Sequence, residues 1–540
     1  MPNQNKSCPL THVSSNLKDN VNHIESSFGN SGDVIIKELL WMQKWPAALF
    51  YIDGLVNTQL LHDSVLRSLM RVNEHHVPEG AEPFDYLKNQ VLIAGNSGSV
   101  DEMDALFNQM LSGSIIILLD GYAKGIWIDA VGWEDRSVSE PQSQSVVRGP
   151  MEAFTENLRT NTALIRRRIR DPRLWMETRQ IGQVTHTNVA VMYVKGIADE
   201  GVIQELRERL DRIDIDGILE GGYIEEEIQD ETFTLFPTIY NSERPDSVAA
   251  SLLEGRIAIL VDGTPFVLLI PALFVQFFQS PEDYYQRADI STLLRLLRFF
   301  SFFIAMLAPA VYIAVTTFHQ EMIPTNLLVS LAAQREGVPF PAFVEAMLME
   351  ITYEILREAG VRIPKTVGQA VSIVGTLVIG QAAVDAGVVS AAMVIVVSIT
   401  AISSYVIPEN GLSIAVRIAR FALMMLAAAF GLLGILMGVI VLLLHLTSLR
   451  SFGVSYMSPF GPYVESDLKD TLFRLPWPRM KTRPQSISIQ NTIRQKRKKD
   501  GSVINQKPEG ISHEADHTFV LRLGPDCITV RWLLGSPRIK

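Results

Sequence analysis

The sequence predicts a soluble α/β N-terminal half of two tandem similar subdomains, followed by an α-helical multi-span membrane domain. Three observations predict this fold class. The mean hydropathy of +0.18 is high for a wholly soluble chain of 540 residues. The long apolar runs are confined to the region after about residue 290. Two pairs of segments in the first half resemble each other at one shared offset, which indicates an internal repeat.

Charge and cysteine content exclude several classes of protein. A net charge of −10 argues against a general nucleic-acid binder, which would carry a basic surface. The two cysteines, Cys8 and Cys527, lie near opposite ends, so we expect neither a disulfide framework nor a cysteine-based zinc site. The N-terminus lacks the cationic start and apolar core of a cleaved secretory signal, and we expect no export by that route.

The first half divides into a tail and two subdomains. Residues 1–32 are polar and rich in Asn and Ser, which predicts a disordered tail. Beyond them, short apolar runs alternate with helical patterns such as 202–213. The sequence predicts subdomain 1 over 33–150 and subdomain 2 over 151–280. The predicted strands include 47–52, 115–119, 189–194 and 257–261.

The repeat has an offset of 142 residues. ALFYIDG at 48–54 resembles AVMYVKG at 190–196, and LSGSIIILLDG at 111–121 resembles LEGRIAILVDG at 253–263. Both segments of the second pair end in Asp-Gly, which is typical of a type I′ hairpin turn. Catalytic aspartates are the alternative, but no partner base lies nearby in sequence. The acidic stretch 199–231 is interpreted as a solvated helical face and loop, with a cation site as the alternative.

Four segments of the second half have the apolar character of membrane spans, for which about 20 residues are needed. We predict a membrane domain over 281–450 with spans near 297–318, 367–385, 388–407 and 418–447. The apolar run 265–278 is shorter and contains Pro271, which favours a re-entrant or interfacial segment.

The distribution of charge indicates on which side of the membrane the two ends of the chain lie. Residues 451–540 form a predicted basic C-terminal tail, in which Arg479 to Lys499 carries eight Lys or Arg and no acid. Such clusters mark the cytoplasmic side. A cytoplasmic N-terminal half and tail require an even number of spans, so four are favoured over five. The loop at Asp385 lacks Lys and Arg and conflicts with this assignment.

The chain contains none of the common catalytic or nucleotide-binding motifs. Its ten histidines are scattered, and no nucleophile, base and orienting group come together in sequence. We therefore predict a protein that is not an enzyme and has no catalytic, cofactor-binding or metal-ligating residues.

Two spans carry stripes of small or polar residues. In the second predicted span such residues recur at helical spacing on one face: Gln369, Ser372, Thr376, Gly380 and Ala383. Helix packing uses small residues of this kind, and so does a water-filled pore, and both interpretations stay open. In the last span, Gly434 and Gly438 form a GxxxG pattern that predicts helix packing.

An amphipathic helix is predicted over 340–358, between the first and second spans. One face of this helix is apolar, and Glu345, Glu354 and Glu358 lie on the rest of its surface. It could lie in the membrane interface or bind a neighbouring subunit. If subunits form a ring, these acids would repeat around the axis and attract cations.

Three long motifs resemble the A-subunit family of bacterial spore germinant receptors, the GerA family. They begin VDGTPFVLLIP (261–271), IPTNLLVSLAAQREG (323–337) and PFGPYVESDLKD (459–470), and the resemblance covers about 33–485. It implies a protein of the spore inner membrane that acts with a transporter-like B subunit and a lipoprotein C subunit. It further implies self-association into a ring-shaped, ligand-gated cation channel that triggers germination. A non-conducting scaffold, or a sporulation-stage membrane protein of the same family, remains as an alternative.

Overall fold

The computed structural model describes residues 10–71, 80, 82–92, 96–132, 140–141, 143–362, 380–488, 491–495, 519–522 and 527–530. They fall into two compact units, 1–495 and 496–540. In the second unit, β13 (Phe519–Arg522) and β14 (Cys527–Val530) pair as antiparallel strands.

Subdomain 1 is an antiparallel five-stranded sheet between two layers of helices. The strand order is β1-β2-β4-β5-β3. The strands are β1 (Val34–Trp41), β2 (Trp45–Ile52), β3 (Ser97–Val100), β4 (Ser114–Leu119) and β5 (Gly125–Asp129). The helices are α1 (Leu17–Ser27), α2 (Thr58–Leu60), α3 (Arg67–Arg71), α4 (Pro83–Tyr86) and α5 (Met103–Leu111).

The strands contribute apolar side chains to both faces of the sheet, because successive side chains of a strand point to opposite faces. In β2, Ala48 and Phe50 pack under α1 and α5. Ala47 and Leu49 face the helical segments on the other side, around Phe84. Both faces of the sheet are therefore buried, as the continuous apolar runs of the sequence indicate.

Subdomain 2 repeats the architecture. Its sheet has the order β6-β7-β9-β10-β8, which is the order of subdomain 1. The shared order agrees with the offset repeat in the sequence. The strands are β6 (Leu174–Ile181), β7 (Thr187–Val194), β8 (Tyr240–Ser242), β9 (Ile257–Val261) and β10 (Val267–Ile270). The helices are α6 (Leu158–Arg168), α7 (Glu200–Asp211), α8 (Gly221–Ile228) and α9 (Pro245–Glu254).

The two Asp-Gly pairs cap helices. Asp120 Oδ1 accepts a hydrogen bond of 3.0 Å from the backbone N–H of Leu17, at the start of α1. Asp262 Oδ1 accepts one of 3.0 Å from Leu158, at the start of α6. The glycines that follow have positive φ, 89° at Gly121 and 93° at 263, but the aspartates do not. The predicted turns exist, but the type I′ assignment is wrong, since that turn needs positive φ at both residues.

The prediction of a disordered tail over 1–32 is wrong for residues 10–32. Helix α1 buries Leu17, Val21 and Ile24 in the core of subdomain 1. It begins at Asn16, whose side chain accepts a hydrogen bond from the Lys18 N–H, as an N-cap residue does. Residues 1–9 lie outside the described ones.

Two further segments differ from the prediction. Residues 265–278 are neither re-entrant nor interfacial: they contain β10 and a buried 3₁₀ helix, Phe274–Phe278. Residues 450–488 are folded against subdomain 2 and are not a free basic tail. Two short strands, β11 (Arg450–Ser451) and β12 (Val454–Ser455), open this segment. Ser451 Oγ donates to Thr238 O at 2.7 Å, which fixes the segment to the domain.

The remainder of the first unit is a bundle of helices that packs on subdomain 2. Two of them, α10 and α15, are long and apolar enough to cross a membrane. The helices are α10 (Ala288–Thr317), α11 (Thr325–Arg335), α12 (Ala342–Arg362), α13 (Gly380–Asp385), α14 (Ala391–Val406) and α15 (Asn410–Ser448). Of the predicted span 367–385, residues 367–379 lie outside the described ones.

Helix α15 is a hairpin, where the sequence predicts one span over 418–447. Gly431 has φ 61° and ψ −140°, which interrupts the helix. A Cβ placed on Gly438 would lie 2.5 Å from Leu423 Cδ2. In a straight helix the 15 residues between them would span about 22 Å. The chain therefore reverses at Gly431, and a first arm (410–430) packs against a second arm (432–448).

Candidate functional site

The helical bundle is the candidate functional site, and α12 shows its character. Two acidic residues of α12 are buried, while several of its large aliphatic residues are exposed. Glu345 and Glu350 have no exposed surface, whereas Ile351 is 47% and Ile355 is 63% exposed. In water this distribution would be reversed, because charge is solvated and apolar surface is buried. The outer surface of α12 therefore fits lipid or another protein rather than water.

The neighbouring helices have the same inverted distribution. In α14, Thr400 and Ser404 are buried, while Ile399 and Ile402 are exposed. In the second arm of α15 the exposed residues are apolar up to the last turn, where Thr447 and Ser448 are exposed as well. The exposed apolar residues are Leu433, Leu436, Met437, Ile440, Val441, Leu443 and Leu444. Helices with polar residues towards the bundle interior and aliphatic residues outside are typical of membrane domains.

Buried ion pairs connect α12 with the first arm of α15. Arg420 Nη2 lies 2.9 Å from Glu350 Oε2, and neither side chain is exposed. Glu354 joins both arginines, with distances of 2.5 Å to Arg417 Nη1 and 3.4 Å to Arg420 Nη2. Removing one member would leave a charge without its partner in an apolar surrounding, which costs several kcal/mol. These pairs fix the lateral position of α12 on α15.

The three predicted cation-attracting acids occupy different environments. Glu345 is buried, and its Oε1 accepts hydrogen bonds from the backbone N–H of Ser390, at 2.6 Å, and from the Ser390 hydroxyl. Glu354 is one of the paired acids. Glu358 is exposed and lies 2.6 Å from Arg362, one turn along the helix. The structure does not bring the three carboxylates together within one chain.

Of the predicted stripe of small and polar residues, the structure describes the last two members, Gly380 and Ala383. Gln369, Ser372 and Thr376 lie outside the described residues. Gly380 is buried, and a Cβ on it would lie 3.6 Å from Val394 Cγ1 of α14. Ala383 is partly buried against the core of the bundle.

The predicted packing glycines lie inside the α15 hairpin. Gly434 and Gly438 are both buried. A Cβ on Gly434 would collide with Leu426 O, and one on Gly438 would meet side chains of Leu423 and Leu426 at 2.5 and 2.9 Å. The two arms approach this closely because the glycines have no side chain. The pattern thus joins two arms of one chain.

Sequence reasoning missed Glu350, Arg417 and Arg420. Their signal is present: two arginines interrupt the apolar stretch at the start of the last predicted span, and two glutamates four residues apart lie on one face of α12. A charged residue inside such a stretch needs a partner, so opposite charges on two apolar helices predict a buried pair.

The bundle is joined to subdomain 2 at both ends of α15. Thr234 Oγ1 lies 2.9 Å from His445 Nε2 at the end of the second arm. A Cβ on Gly411, at the start of the first arm, would lie 3.4 Å from Pro237. Nearby on α8, burial and the neighbouring carboxylates of Glu409 and Glu220 raise the pKa of Glu225 to about 7.

Comparison with known proteins identifies the family. The family model described as the Bacillus/Clostridium GerA spore germination protein matches residues 22–486. The chain belongs to the GerA family. Its start at residue 22 includes most of α1, the helix that sequence reasoning placed in a tail.

Several known proteins match nearly the whole chain. Spore germination protein KA of Bacillus subtilis is 50% identical and covers 91% of this chain and 90% of its own length. The membrane protein YfkQ of Bacillus subtilis is 43% identical, with coverages of 89% and 93%. Spore germination protein GerLA of Bacillus cereus is 38% identical, with coverages of 91% and 99%.

A solved structure also matches. It is the crystal structure of the N-terminal domain of the A subunit of the Bacillus megaterium spore germinant receptor GerK3. It is 39% identical, and the match covers 50% of this chain and all of that one, with a TM-score of 0.40.

Proposed function

We propose that this GerA-family chain is the A subunit of a nutrient germinant receptor in the spore inner membrane. Several copies associate into a ligand-gated cation channel, which acts with a B subunit and a C subunit to trigger germination. Membership of the family and the names of the relatives support the receptor assignment. The observation that carries the channel assignment is the inverted helix α12, with carboxylates inside and aliphatic side chains outside.

Buried charges favour a conducting role over a simple anchor. An anchoring helix needs only apolar residues, and each ionisable group placed at membrane depth is costly. This bundle nevertheless holds Glu345, Glu350 and Glu354 on α12 and two arginines opposite them. Such groups mark ion pathways in membrane proteins because they replace part of the hydration of a passing ion.

The contacts also support a single side for both soluble parts. The N-terminal domain and the segment after α15 touch, for example through Ser451 and Thr238. They must therefore lie on one side of any bilayer that the helices cross. Glu345 lies beside Ser390 and Arg357 lies over the ring of Tyr405, so α12 and α14 run parallel. If α10, α12, α14 and the two arms of α15 each cross the bilayer, they make five passes. The span predicted over 367–385 would be the sixth and gives the even number that a single side requires. On this reasoning we propose six passes and a cytoplasmic N-terminal domain.

The exposed aliphatic face of α12 fits association between copies as well as lipid. In a ring, the acids Glu345, Glu354 and Glu358 and the stripe from Gln369 to Ala383 would be repeated around an axis. A repeated stripe of small and polar residues would provide a wetted path for monovalent cations. No catalytic step is part of this function, and no cofactor is needed.

A deletion strain tests the proposed function. Spores that lack this chain should fail to release K⁺ and to germinate with at least one nutrient of a panel, and the wild-type gene should restore both. Complementation with Gln369→Leu or Thr376→Leu should change the rate of K⁺ release, whereas Leu436→Val on the outer face should not. Normal nutrient responses in the deletion strain would contradict the receptor assignment. Unchanged release in all stripe variants would favour the non-conducting scaffold. A defect during sporulation instead would favour the sporulation-stage alternative.

A further inference from the structure

A cavity of about 380 Å³ lies outside the bundle, where three parts of the chain meet. One wall is α9 and Arg256 of subdomain 2. A second wall is the link into α10, with Gln276 and Tyr284. The third is the segment after α15, with Trp477 and Arg494. Its volume is at the lower end of the range for small-molecule sites, which are commonly found between structural units.

Two buried polar side chains of this cavity each carry an atom that has no hydrogen-bond partner in the described part of the chain. Arg256 and Gln276 are each only 5% exposed. Arg256 Nε and Gln276 Oε1 have no hydrogen-bond partner among the described residues. Burial of an unsatisfied donor or acceptor costs about 1–3 kcal/mol, and more for a charged group. A cavity wall that carries both a free cationic donor and a free acceptor is therefore prepared for a ligand.

The other charged groups of the cavity are already engaged. Arg494 Nη2 donates to Glu254 Oε1 at 2.8 Å. Arg483 Nε donates to the carbonyl of Leu253 at 2.8 Å. Asp246 accepts hydrogen bonds from Arg244, at 2.8 Å, and from the hydroxyl of Tyr285.

Within the described ranges, by contrast, the side chain of Arg256 makes one long ion pair, 4.0 Å from its Nη2 to Glu254 Oε2. Burial lowers the pKa of Arg256, so its charged form would gain stability from an anionic ligand. A guanidinium with one unpaired N–H beside a carboxylate suits a single negative charge better than a phosphate dianion, which Glu254 would repel more strongly.

The aromatic side chains define the remainder of the ligand space. Tyr284 and Trp477 lie 5.9 Å apart between ring centroids, and Tyr240 closes the inner side. Tyr284 is held by a hydrogen bond of 2.8 Å from its hydroxyl to Asp470 Oδ2. These rings offer an apolar surface for the non-polar part of a ligand.

We propose that this cavity binds a small organic acid that also carries a hydrogen-bond donor, as amino acids and hydroxy acids do. The carboxylate of the ligand pairs with Arg256, its amino or hydroxyl group donates to Gln276 Oε1, and its apolar part lies between Tyr240 and Tyr284. Occupancy would connect subdomain 2, the base of α10 and the segment after α15. The proposal is independent of cation conduction, since binding is measured without an ion readout.

Binding can be measured on the full chain in detergent by thermal unfolding. The probes are the twenty amino acids, lactate and malate, each at 10 mM. We expect at least one probe to raise the unfolding temperature saturably by about 3 °C or more, because a ligand of the native state stabilises it by mass action. Arg256→Met and Gln276→Leu should abolish that shift. Arg212→Met, which removes an exposed cation outside the cavity, should keep it.

The variants also separate a ligand site from a structural one. Without ligand, Arg256→Met should unfold at the wild-type temperature or above it, since a buried charge with only a long ion pair is replaced by an apolar side chain, and Glu254 keeps Arg494 as its partner. Absence of any saturable shift across the probes would overturn the proposal. A wild-type shift in Gln276→Leu would overturn it too, even if Arg256→Met failed to fold.

Discussion

The two subdomains should depend on one buried ion pair for their association. Arg166 on α6 of subdomain 2 reaches Asp33, next to β1 of subdomain 1. Its Nε and Nη2 donate to the two carboxylate oxygens at 2.7 and 2.9 Å. The side chains are 0% and 4% exposed, and Arg166 Nη1 donates to Leu174 O at 2.6 Å. Removing one partner leaves the other charge buried without compensation, which typically costs about 3–5 kcal/mol.

That cost converts into a large shift in thermal stability. One kcal/mol corresponds to roughly 2–4 °C in a domain of 150–250 residues, so Arg166→Met or Asp33→Leu should lower the unfolding temperature by roughly 6–20 °C. The double variant Arg166→Met with Asp33→Leu should lose much less than the sum of the single losses, because no unpaired charge remains.

Tryptophan fluorescence of the full chain provides the assay. Five of the seven tryptophans lie in the N-terminal half, at positions 41, 45, 127, 133 and 175. Their signal therefore follows the unfolding of the two subdomains. Arg212→Met, at an exposed ion pair, should shift the transition by less than about 2 °C. A shift as small as this in both single variants of the buried pair, or additive losses in the double variant, would refute the reasoning.

Three further predictions concern the bundle and its junction. Arg420→Met should reduce the yield of folded protein in detergent, measured by size-exclusion chromatography, and Glu350→Gln in the same chain should restore part of it, because the partner charge is then removed. Gly438→Leu should destabilise the α15 hairpin by about 1–3 kcal/mol, measured by thermal unfolding in detergent, because its side chain would collide with the first arm. The raised pKa of Glu225, about 7, means that the folded state binds its proton more tightly than the unfolded state. Ionisation of Glu225 therefore does not affect the free energy of unfolding below its ordinary pKa, and it lowers that free energy progressively as the pH rises towards 7. Glu225→Gln should accordingly raise the unfolding temperature at pH 8 and have little effect at pH 4.5, and an equal effect at both pH values would contradict the assignment.

The sequence was sufficient for the central strands of the sheets, but not for β10, which was interpreted as part of a re-entrant or interfacial segment. Strands such as β4 and β9 are continuous apolar runs between turn residues. The 142-residue offset identifies them as equivalent strands of the two subdomains. Local pattern is sufficient for these two strands because both are buried on both faces.

The missed helix α1 has a recognisable counterpart in the second copy. Residues 16–20 read NLKDN, and residues 157–161 read NLRTN. Asn20 Oδ1 accepts from the Ser14 N–H and Asn161 Oδ1 from the Thr155 N–H, both at 2.8 Å. Polar composition predicted disorder, but capping and one apolar face decide the structure. The repeat carried that information at an offset one residue shorter than the one used.

The bundle was predictable in composition and not in arrangement. The spacing of apolar residues alone predicts that the apolar face of α12 packs towards a core, since apolar surface is buried in water. The structure turns Glu350 inwards because Arg420 lies on a helix 70 residues later, and such long-range pairing leaves no periodic signal. The reversal at Gly431 is equally hidden, because both arms are apolar throughout.

Conductance of the purified protein tests the central claim most directly. The full chain, alone and with its B and C subunits, is reconstituted in planar bilayers, and the current carried by K⁺ and Na⁺ is recorded with and without nutrient. We predict nutrient-dependent, cation-selective current whose size changes in Thr376→Leu and stays unchanged in Leu436→Val. A bilayer that contains the assembled subunits and passes no nutrient-dependent cation current would contradict the account.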